Sequence, residues 1–329
     1  MSDTAPVRPG EELPLDRLSA WFGETVAVEQ FPGGHSNLTY LLRAASGEYV
    51  LRRAPLGPVP PKAHDMAREF SILRALHPVF PYAPRVVRLC EDADVIGAVF
   101  YVMERRVGAI FRNPLDVPDA ASARRISEAF VDCLVDLHAI DLQASGLIAI
   151  GKPEGFLDRQ VGGWSERWMR ADTPDRPDAT RVIDYLRTTI PVSRDASVVH
   201  NDYKIDNVML TPDLARVAAV LDWEMTTVGD PLADLGLTLC YWTIGSAYDA
   251  PRGQGWFTRE ELIERYALKT GRDVSRVRWY EALGVFKLAV ILQQIYVRYV
   301  RGQTADARFR DFRPRVRFLI DRAGELIAE

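Results

Sequence analysis

Cysteine is scarce in this chain. There are three among 329 residues, Cys90, Cys133 and Cys240, far apart and each in an apolar neighbourhood. Isolated cysteines in odd number build no disulfide framework, and without a Cys-x-x-Cys pair or a Cys/His cluster no structural zinc site is indicated. A reducing, cytoplasmic setting is the expectation. A dominant charge is lacking too: 41 Lys and Arg stand against 45 Asp and Glu, a net charge of −4. That balance gives no reason to expect nucleic acid as a partner. No run of 18 apolar residues occurs, so no membrane span is expected. The opening MSDTAPVRPGEELP has no apolar signal-like stretch. Internal repeats and low-complexity tracts are missing as well. What is present is ordinary globular usage, 47% hydrophobic and 26% charged, enough to bury a sizeable core. The length suits two domains or one two-lobed unit.

Residues 1–14, with three prolines and no periodicity, are expected to form a flexible lead-in. LDRLSAWF (15–22) reads as a helix. VAVEQF (26–31), LTYLLR (38–43) and YVLRR (49–53) read as strands, separated by PGGHSN and ASGE turns. AHDMAREFSILRAL (63–76) carries Met66, Phe70, Leu73 and Leu76 at helical spacing, and 84–92 and 97–106 read as two more strands. Beyond Gly108 the character becomes helical. Residues 121–140 place Ile126, Phe130, Leu134 and Leu137 on one stripe. Helices are also expected over 163–169, 181–190, and from Pro231 to the end, with 281–300 central to a second core. The expected fold is α+β: a lead-in (1–14), an N-terminal lobe (15–106) with a five-stranded antiparallel sheet and one inserted helix, and a mainly helical lobe (107–329).

Between two apolar runs lies VVHNDYKIDNVML (198–210), followed by VLDWEM (220–225). Phosphoryl transfer needs hard oxygen ligands for Mg²⁺, and Asn207 and Asp222 supply an amide oxygen and a carboxylate. It needs a carboxylate to take the proton of the acceptor hydroxyl, for which Asp202 is the candidate. It also needs a cation for the charge on the moving group, for which Lys204 is the candidate. GDPLADLG (229–236) carries a helix start, with Asp230 as N-cap and Pro231 at the first helical position.

HNDYKIDN has the spacing of the protein-kinase catalytic loop, and LDWE stands in place of its metal-binding Asp-Phe-Gly. With HxD upstream and GDPLADLG downstream, the chain resembles the aminoglycoside and choline phosphotransferase family, of protein-kinase-like fold, over nearly everything after residue 14. VLRR (50–53) resembles the branch of that family linked to acyl-CoA dehydrogenases.

The resemblance implies ATP, with GTP as the alternative, and Mg²⁺ as cofactors, and a small-molecule hydroxyl as acceptor. It makes FPGGHSN the loop over the phosphates, with Gly33, Gly34, His35, Ser36 and Asn37. Arg52 takes the place of the strand lysine of kinases and Glu69 that of its helix partner. Arginine and lysine are not interchangeable at a tight phosphate site. Strand alternation puts Arg52 in the cleft and Arg53 outside it. Met103, Glu104 and Arg106 fall at the adenine hinge. His200 and Asp234 would brace the catalytic loop. His138 reads as structural.

For the acceptor side the candidates are Gln160, Trp164, Trp168, Tyr241 and Trp242; the two tryptophans four apart suit a core as well as a substrate wall. Residues 271–329 hold twelve Arg or Lys against seven Asp or Glu, a basic region that suits an anionic acceptor, a hydroxy acid or its coenzyme A thioester. The alternatives are an aminoglycoside, amino-alcohol or sugar kinase, and a catalytically silent nucleotide-binding module. No Ala-Pro-Glu segment follows Asp222, which argues against a protein kinase.

Overall fold

The computed structural model describes residues 3–328 apart from 33–36, 56–63, 114–115, 245–250, 252 and 305–306. The chain divides into two compact units: Met1–Gly108 with Ala218–Glu224, and Ala109–Val217 with Met225–Glu329.

In the first unit, helix α1 (Leu15–Phe22) precedes strands β1 (Ala27–Gln30), β2 (Leu38–Ala44) and β3 (Gly47–Arg53). Helix α2 (Met66–Leu76), β4 (Val86–Cys90), the short α3 (Ala93–Ile96) and β5 (Phe100–Glu104) follow. The sheet runs β1-β2-β3-β5-β4, antiparallel throughout. One face sends Tyr40, Leu42, Leu51, Phe100 and Val102 into a core with Leu18, Val26 and Ile96. Burying each such side chain is worth about 1.5–3 kcal/mol. α2 packs on β4 and β5, buries Met66, Ile72, Leu73 and Leu76, and is capped by the Asp65 carboxylate, which accepts from Arg68 N at 2.9 Å. α3 is a second helix inside the sheet that the sequence reading does not contain; Asp92 caps it and Gly97, at φ 81°, ends it.

Two expectations are corrected here. Residues 3–14 do not form a flexible lead-in. Ala5 pairs with Gln30 in both directions at 2.9 and 2.8 Å, Tyr40 Oη donates to Glu11 O at 2.8 Å, and Leu13 is buried. β1 is an edge strand, and the leading segment satisfies the backbone groups of its last residue, Gln30. Nor does one boundary near residue 106 divide the chain. Residues 218–224 return to the first unit, where Val220 N donates to Tyr82 O at 2.8 Å and the buried Trp223 packs on Phe80 at 5.8 Å.

The second unit contains α4 (Ala120–His138), α5 (Phe156–Arg170), α6 (Thr180–Thr188), β6 (Ser197–Val199), β7 (Val208–Leu210) and β9 (Thr227–Gly229). The short strand β8 (Val217–Val220) leaves it toward 218–224. Then come α7 (Pro231–Thr243), α8 (Arg259–Thr270), α9 (Val277–Val300) and α10 (Phe312–Leu326). α4 buries the stripe Ile126, Phe130, Leu134 and Leu137, as its periodicity requires. α7 starts where Asp230 accepts from Leu232 N at 2.9 Å, with Pro231 in its first turn. α9 packs against α5, α6, α7 and α10. By length and composition it could cross a membrane, yet it holds Glu281, Lys287 and Gln293 buried among its apolar residues. α7 and α9 touch backbone to backbone at Gly236 and Gly284, where a Cβ would strike Tyr280 or Leu237. β6 pairs antiparallel with β9, a three-residue strand missing from the sequence reading, and this small ladder presents the loop that follows Val199.

Candidate active site

In the second unit, the loop His200–Asn201–Asp202 leaves β6 and is held from behind by Asp234, one turn into α7. The Asp234 carboxylate is buried and accepts from His200 N at 2.5 Å and Asn201 N at 2.7 Å. His138 Nε2 lies 3.4 Å from it, and Tyr266 Oη lies 2.7 Å from His138 Nδ1. Burial works to raise the Asp234 pKa, but its bonds from His138 and from the His200 backbone hold it below the ordinary carboxylate range. Burial lowers the His138 pKa, which keeps that ring neutral. His200 is fully buried, and its Nδ1 accepts from Asp202 N at 3.2 Å. Tyr203 is anchored below, donating to Phe130 O at 2.8 Å while its own carbonyl accepts from Thr238 Oγ1 at 2.9 Å.

The Asp202 carboxylate is held at both oxygens. Tyr241 Oη donates to Oδ1 at 2.8 Å, Asn207 Nδ2 donates to Oδ2 at 2.9 Å, and Lys204 Nζ lies 3.5 Å from Oδ2. Asn207 Nδ2 also donates to Asp202 O at 2.9 Å. With the amide nitrogen committed to Asp202, Oδ1 is the atom with which Asn207 could ligate a cation. Lys204 lies 3.5 Å from Asp206 as well. The spacing that matched a catalytic loop thus becomes one connected group: Asp202, Lys204, Asn207 and Tyr241.

In the first unit, Arg52 on β3 reaches Asp222 Oδ1 at 2.9 Å and Glu69 Oε1 at 3.5 Å, and both Arg52 and Glu69 are buried. Asp222 adopts φ 67°, a strained conformation for a residue with a Cβ. Tyr101 faces Arg52 in register on β5. Burial raises the Glu69 pKa to about 7; Arg52 opposes that, and Asp222 and Glu224 add to it. Arg53 points to the other face, is buried too, and donates to Ile96 O at 3.0 Å.

Gly33, Gly34, His35 and Ser36 lie outside the described residues. Asn37 is buried, with Nδ2 donating to Glu224 Oε2 at 3.0 Å and Oδ1 2.9 Å from His64 Nδ1. Arg68 donates to the Glu224 carbonyl at 3.0 Å. Glu224 is therefore an organising residue that the sequence reading passed over, although it stands two places after Asp222. Met103 is buried in the sheet. Glu104 N donates to Arg85 O at 2.9 Å, and its carboxylate accepts from Arg85 N and Arg106 Nε.

The acceptor candidates separate. Trp168 and Trp242 belong to the core. Trp168 packs on Phe286, and Trp242 stacks with Phe130 and donates to Phe257 O at 2.8 Å. The four-residue spacing of Trp164 and Trp168 on α5 goes with burial of both side chains. Trp164 is largely buried, donates to Gln160 Oε1 at 3.0 Å, and has Arg167 at 4.5 Å and Lys287 at 5.5 Å from its ring. Tyr241 is the candidate that touches the Asp202 carboxylate. Asp230 caps α7 and accepts from Tyr280 Oη at 2.8 Å, a structural role.

Among the described residues no group of three or more His, Cys, Asp or Glu forms a metal cluster. The hard oxygens of Asn207 and Asp222 nonetheless have the chemistry that Mg²⁺ takes.

Residues 27–268 match the model of the phosphotransferase enzyme family, and the chain belongs to that family. It is 36% identical over 328 residues to acyl-CoA dehydrogenase family member 11 of Mus musculus, covering 92% of this chain and 42% of that protein. The chain thus spans under half the length of that curated relative. A crystal structure from Ralstonia eutropha, provisionally classed as an aminoglycoside phosphotransferase, superposes with TM-score 0.85 at 30% identity, covering 96% of this chain and 99% of that one. A thermostable aminoglycoside phosphotransferase variant, solved with AMP-PNP and hygromycin B, shares the fold at TM-score 0.62 and 18% identity, covering 94% and 98%. The fold is protein-kinase-like.

Proposed function

We propose that the chain is an ATP-dependent small-molecule kinase acting on an alcohol. The acceptor oxygen attacks the γ-phosphorus, the bond from that phosphorus to the β–γ bridging oxygen breaks, ADP leaves, and the hydroxyl proton passes to Asp202. Asp202 is suited to this because Tyr241 and Asn207 fix both its oxygens, so the base is oriented before substrate arrives. That is the observation that carries the reading. Lys204 supplies charge toward the transferring group. Arg52, paired with Glu69, supplies it on the nucleotide side. Asn207 Oδ1 and the Asp222 carboxylate are each a hard-oxygen candidate ligand for Mg²⁺, which neutralises phosphate charge when bound. Asp234 and His200 keep the loop in place. AMP-PNP in a structural neighbour supports ATP as donor.

For the acceptor, the basic stretch 271–329 supports an anionic compound, a hydroxy acid or hydroxyacyl-CoA. The relative of 36% identity, itself a member of an acyl-CoA dehydrogenase family, supports the thioester. A silent nucleotide-binding module is the second reading. It is favoured by one contact, the Arg52–Asp222 ion pair of 2.9 Å, which occupies a proposed metal ligand.

The test is ADP release from Mg-ATP by wild type and Asp202→Asn. The acceptors would be hydroxy acids, hydroxyacyl-CoA thioesters, aminoglycosides, choline-like amines and sugars. Stimulation by one class, abolished in the variant, is the expected result. Nucleotide binding with no stimulation by any compound and no difference between the two proteins would leave the silent module.

A further inference from the structure

Lys287 stands in the middle of α9, in the run Val285-Phe286-Lys287-Leu288-Ala289, and is 6% exposed. An unpaired lysine at such a depth is costly, and a methionine would fill the same space. Its Nζ donates to Asn201 O at 3.2 Å and to Asn201 Oδ1 at 3.1 Å. Asn201 has φ 65°, the left-handed region that a residue with a Cβ enters only when its surroundings compel it. All four of its polar groups are engaged. Its N–H goes to Asp234, its Nδ2 goes to Met225 O at 3.0 Å, and both its oxygens go to Lys287.

We infer that Lys287 is a positioning residue: by binding both oxygens of Asn201 it holds the residue before Asp202 in its left-handed conformation, and so fixes where the Asp202 carboxylate stands. The inference rests on the reading of Asp202 as the base. Asp234 grips the same loop by its N–H groups; Lys287 grips it by its oxygens, so the turn is held from donors and acceptors at once. The charged and titratable groups facing Lys287 are Asp234 and Cys240 from α7, Asp202 from the loop and Arg167 from α5. Burial lowers the lysine pKa to about 8, with the two aspartates opposing that shift and Arg167 adding to it. Trp164 lies alongside at 5.5 Å. The amine is needed for the two hydrogen bonds and for nothing that packing alone requires.

The experiment compares wild type, Lys287→Met, Asn201→Gly and the double variant. One readout is hydrogen–deuterium exchange of the peptide spanning 198–210. The other is kcat and KM for Mg-ATP, with whichever panel compound stimulates turnover, or with water as acceptor if none does. In Lys287→Met, exchange at 201–204 should rise about tenfold while α7 and α9 keep their protection. kcat should fall about tenfold at unchanged KM for ATP. Adding Asn201→Gly, which takes this φ without strain, should recover part of the loss, so that the two changes are not additive. Lys287→Gln, which retains one donor, should lie between, and serves if the methionine variant does not fold. Unchanged loop exchange, or loosening of α9 together with the loop, would overturn the inference. So would strictly additive losses. If no protein in the series turns over ATP, the kinase reading fails, and loop exchange still decides the role of Lys287.

Discussion

Glu69 allows a sharp quantitative test of the first unit. One cation, Arg52, serves two carboxylates there, Asp222 at 2.9 Å and Glu69 at 3.5 Å. Glu69 is 1% exposed, with Arg52 and Tyr101 as the groups beside it that favour its charged form. Burial therefore dominates and raises its pKa from 4.5 to about 7, while Arg52 draws it down and Asp222 and Glu224 push it further up. At about 1.4 kcal/mol for each pH unit, that difference is worth about 3 kcal/mol. The native state binds this proton more tightly than the unfolded chain. The contribution is thus fully present below about pH 4.5 and is lost as pH rises toward 7.

The perturbation is Glu69→Gln, which removes the titration and keeps the volume. Urea unfolding of the nucleotide-free protein would be followed at pH 5 and pH 8 for both proteins. Groups elsewhere titrate alike in the two and cancel in the comparison. Between those pH values wild type should lose about 3 kcal/mol more than the variant. A ¹³C-carboxylate titration of Glu69 should centre near pH 7. Parallel stability curves, or a titration near 4.5, would refute the argument that Asp222 has taken the greater share of Arg52.

Two further outcomes follow from the second unit. Tyr241→Phe removes the donor at Asp202 Oδ1; kcat with the stimulating acceptor should fall about tenfold, the worth of a hydrogen bond to a charged group, and an unchanged kcat in steady-state assays would count against preorientation of the base. Gly236→Ala sets a Cβ against the Tyr280 backbone, which cannot yield as a side-chain tip can, whereas Gly324 in α10 has no atom within 4 Å of the same position. Thermal unfolding should therefore show Gly236→Ala destabilised by about 3 kcal/mol and Gly324→Ala stabilised by about 0.5–1 kcal/mol.

What could be read from the sequence was what repeats locally. α1, the sheet strands and α4 follow from alternation or from the Ile126–Phe130–Leu134–Leu137 stripe, because each signal lies within a few residues of itself. α5 begins at Phe156, seven residues before the 163 start expected for it. Burial of Phe156, Leu157, Val161, Trp164 and Trp168 outweighs the propensity loss of two glycines. β9 is three residues long, too short to show a period. The connected group in HNDYKIDN was legible because Asp202, Lys204 and Asn207 fall within eight residues. Partners distant in sequence were not. Tyr241 meets Asp202 across 39 positions and Lys287 meets Asn201 across 86. Residues 218–224 join the first unit through contacts with Tyr82, Phe80 and Arg52, none of which a local pattern records. Trp164 and Trp168 left the acceptor side open, since aromatic spacing is the same whether a helix faces a core or a ligand.

Lys287 separates stability from positioning. Its pKa falls from 10.5 to about 8, so keeping it charged in the native state at pH 7 costs about 3 kcal/mol. The unfolded chain binds this proton more tightly than the native state. Stability from this group is therefore lowest below about pH 8 and rises as pH climbs through the window to 10.5. Its two bonds to Asn201 return about 1 kcal/mol each. Lys287→Met should then be more stable than wild type by about 1 kcal/mol at pH 7, and should lack the rise in stability between pH 8 and pH 10 that wild type shows in urea unfolding. A residue retained only for packing would give the opposite sign, a loss on substitution at every pH. A protein that gains stability while its catalytic loop loosens would place the amine in the service of Asp202. A variant less stable than wild type at pH 7, with the same pH dependence, would show that α9 itself needs the lysine.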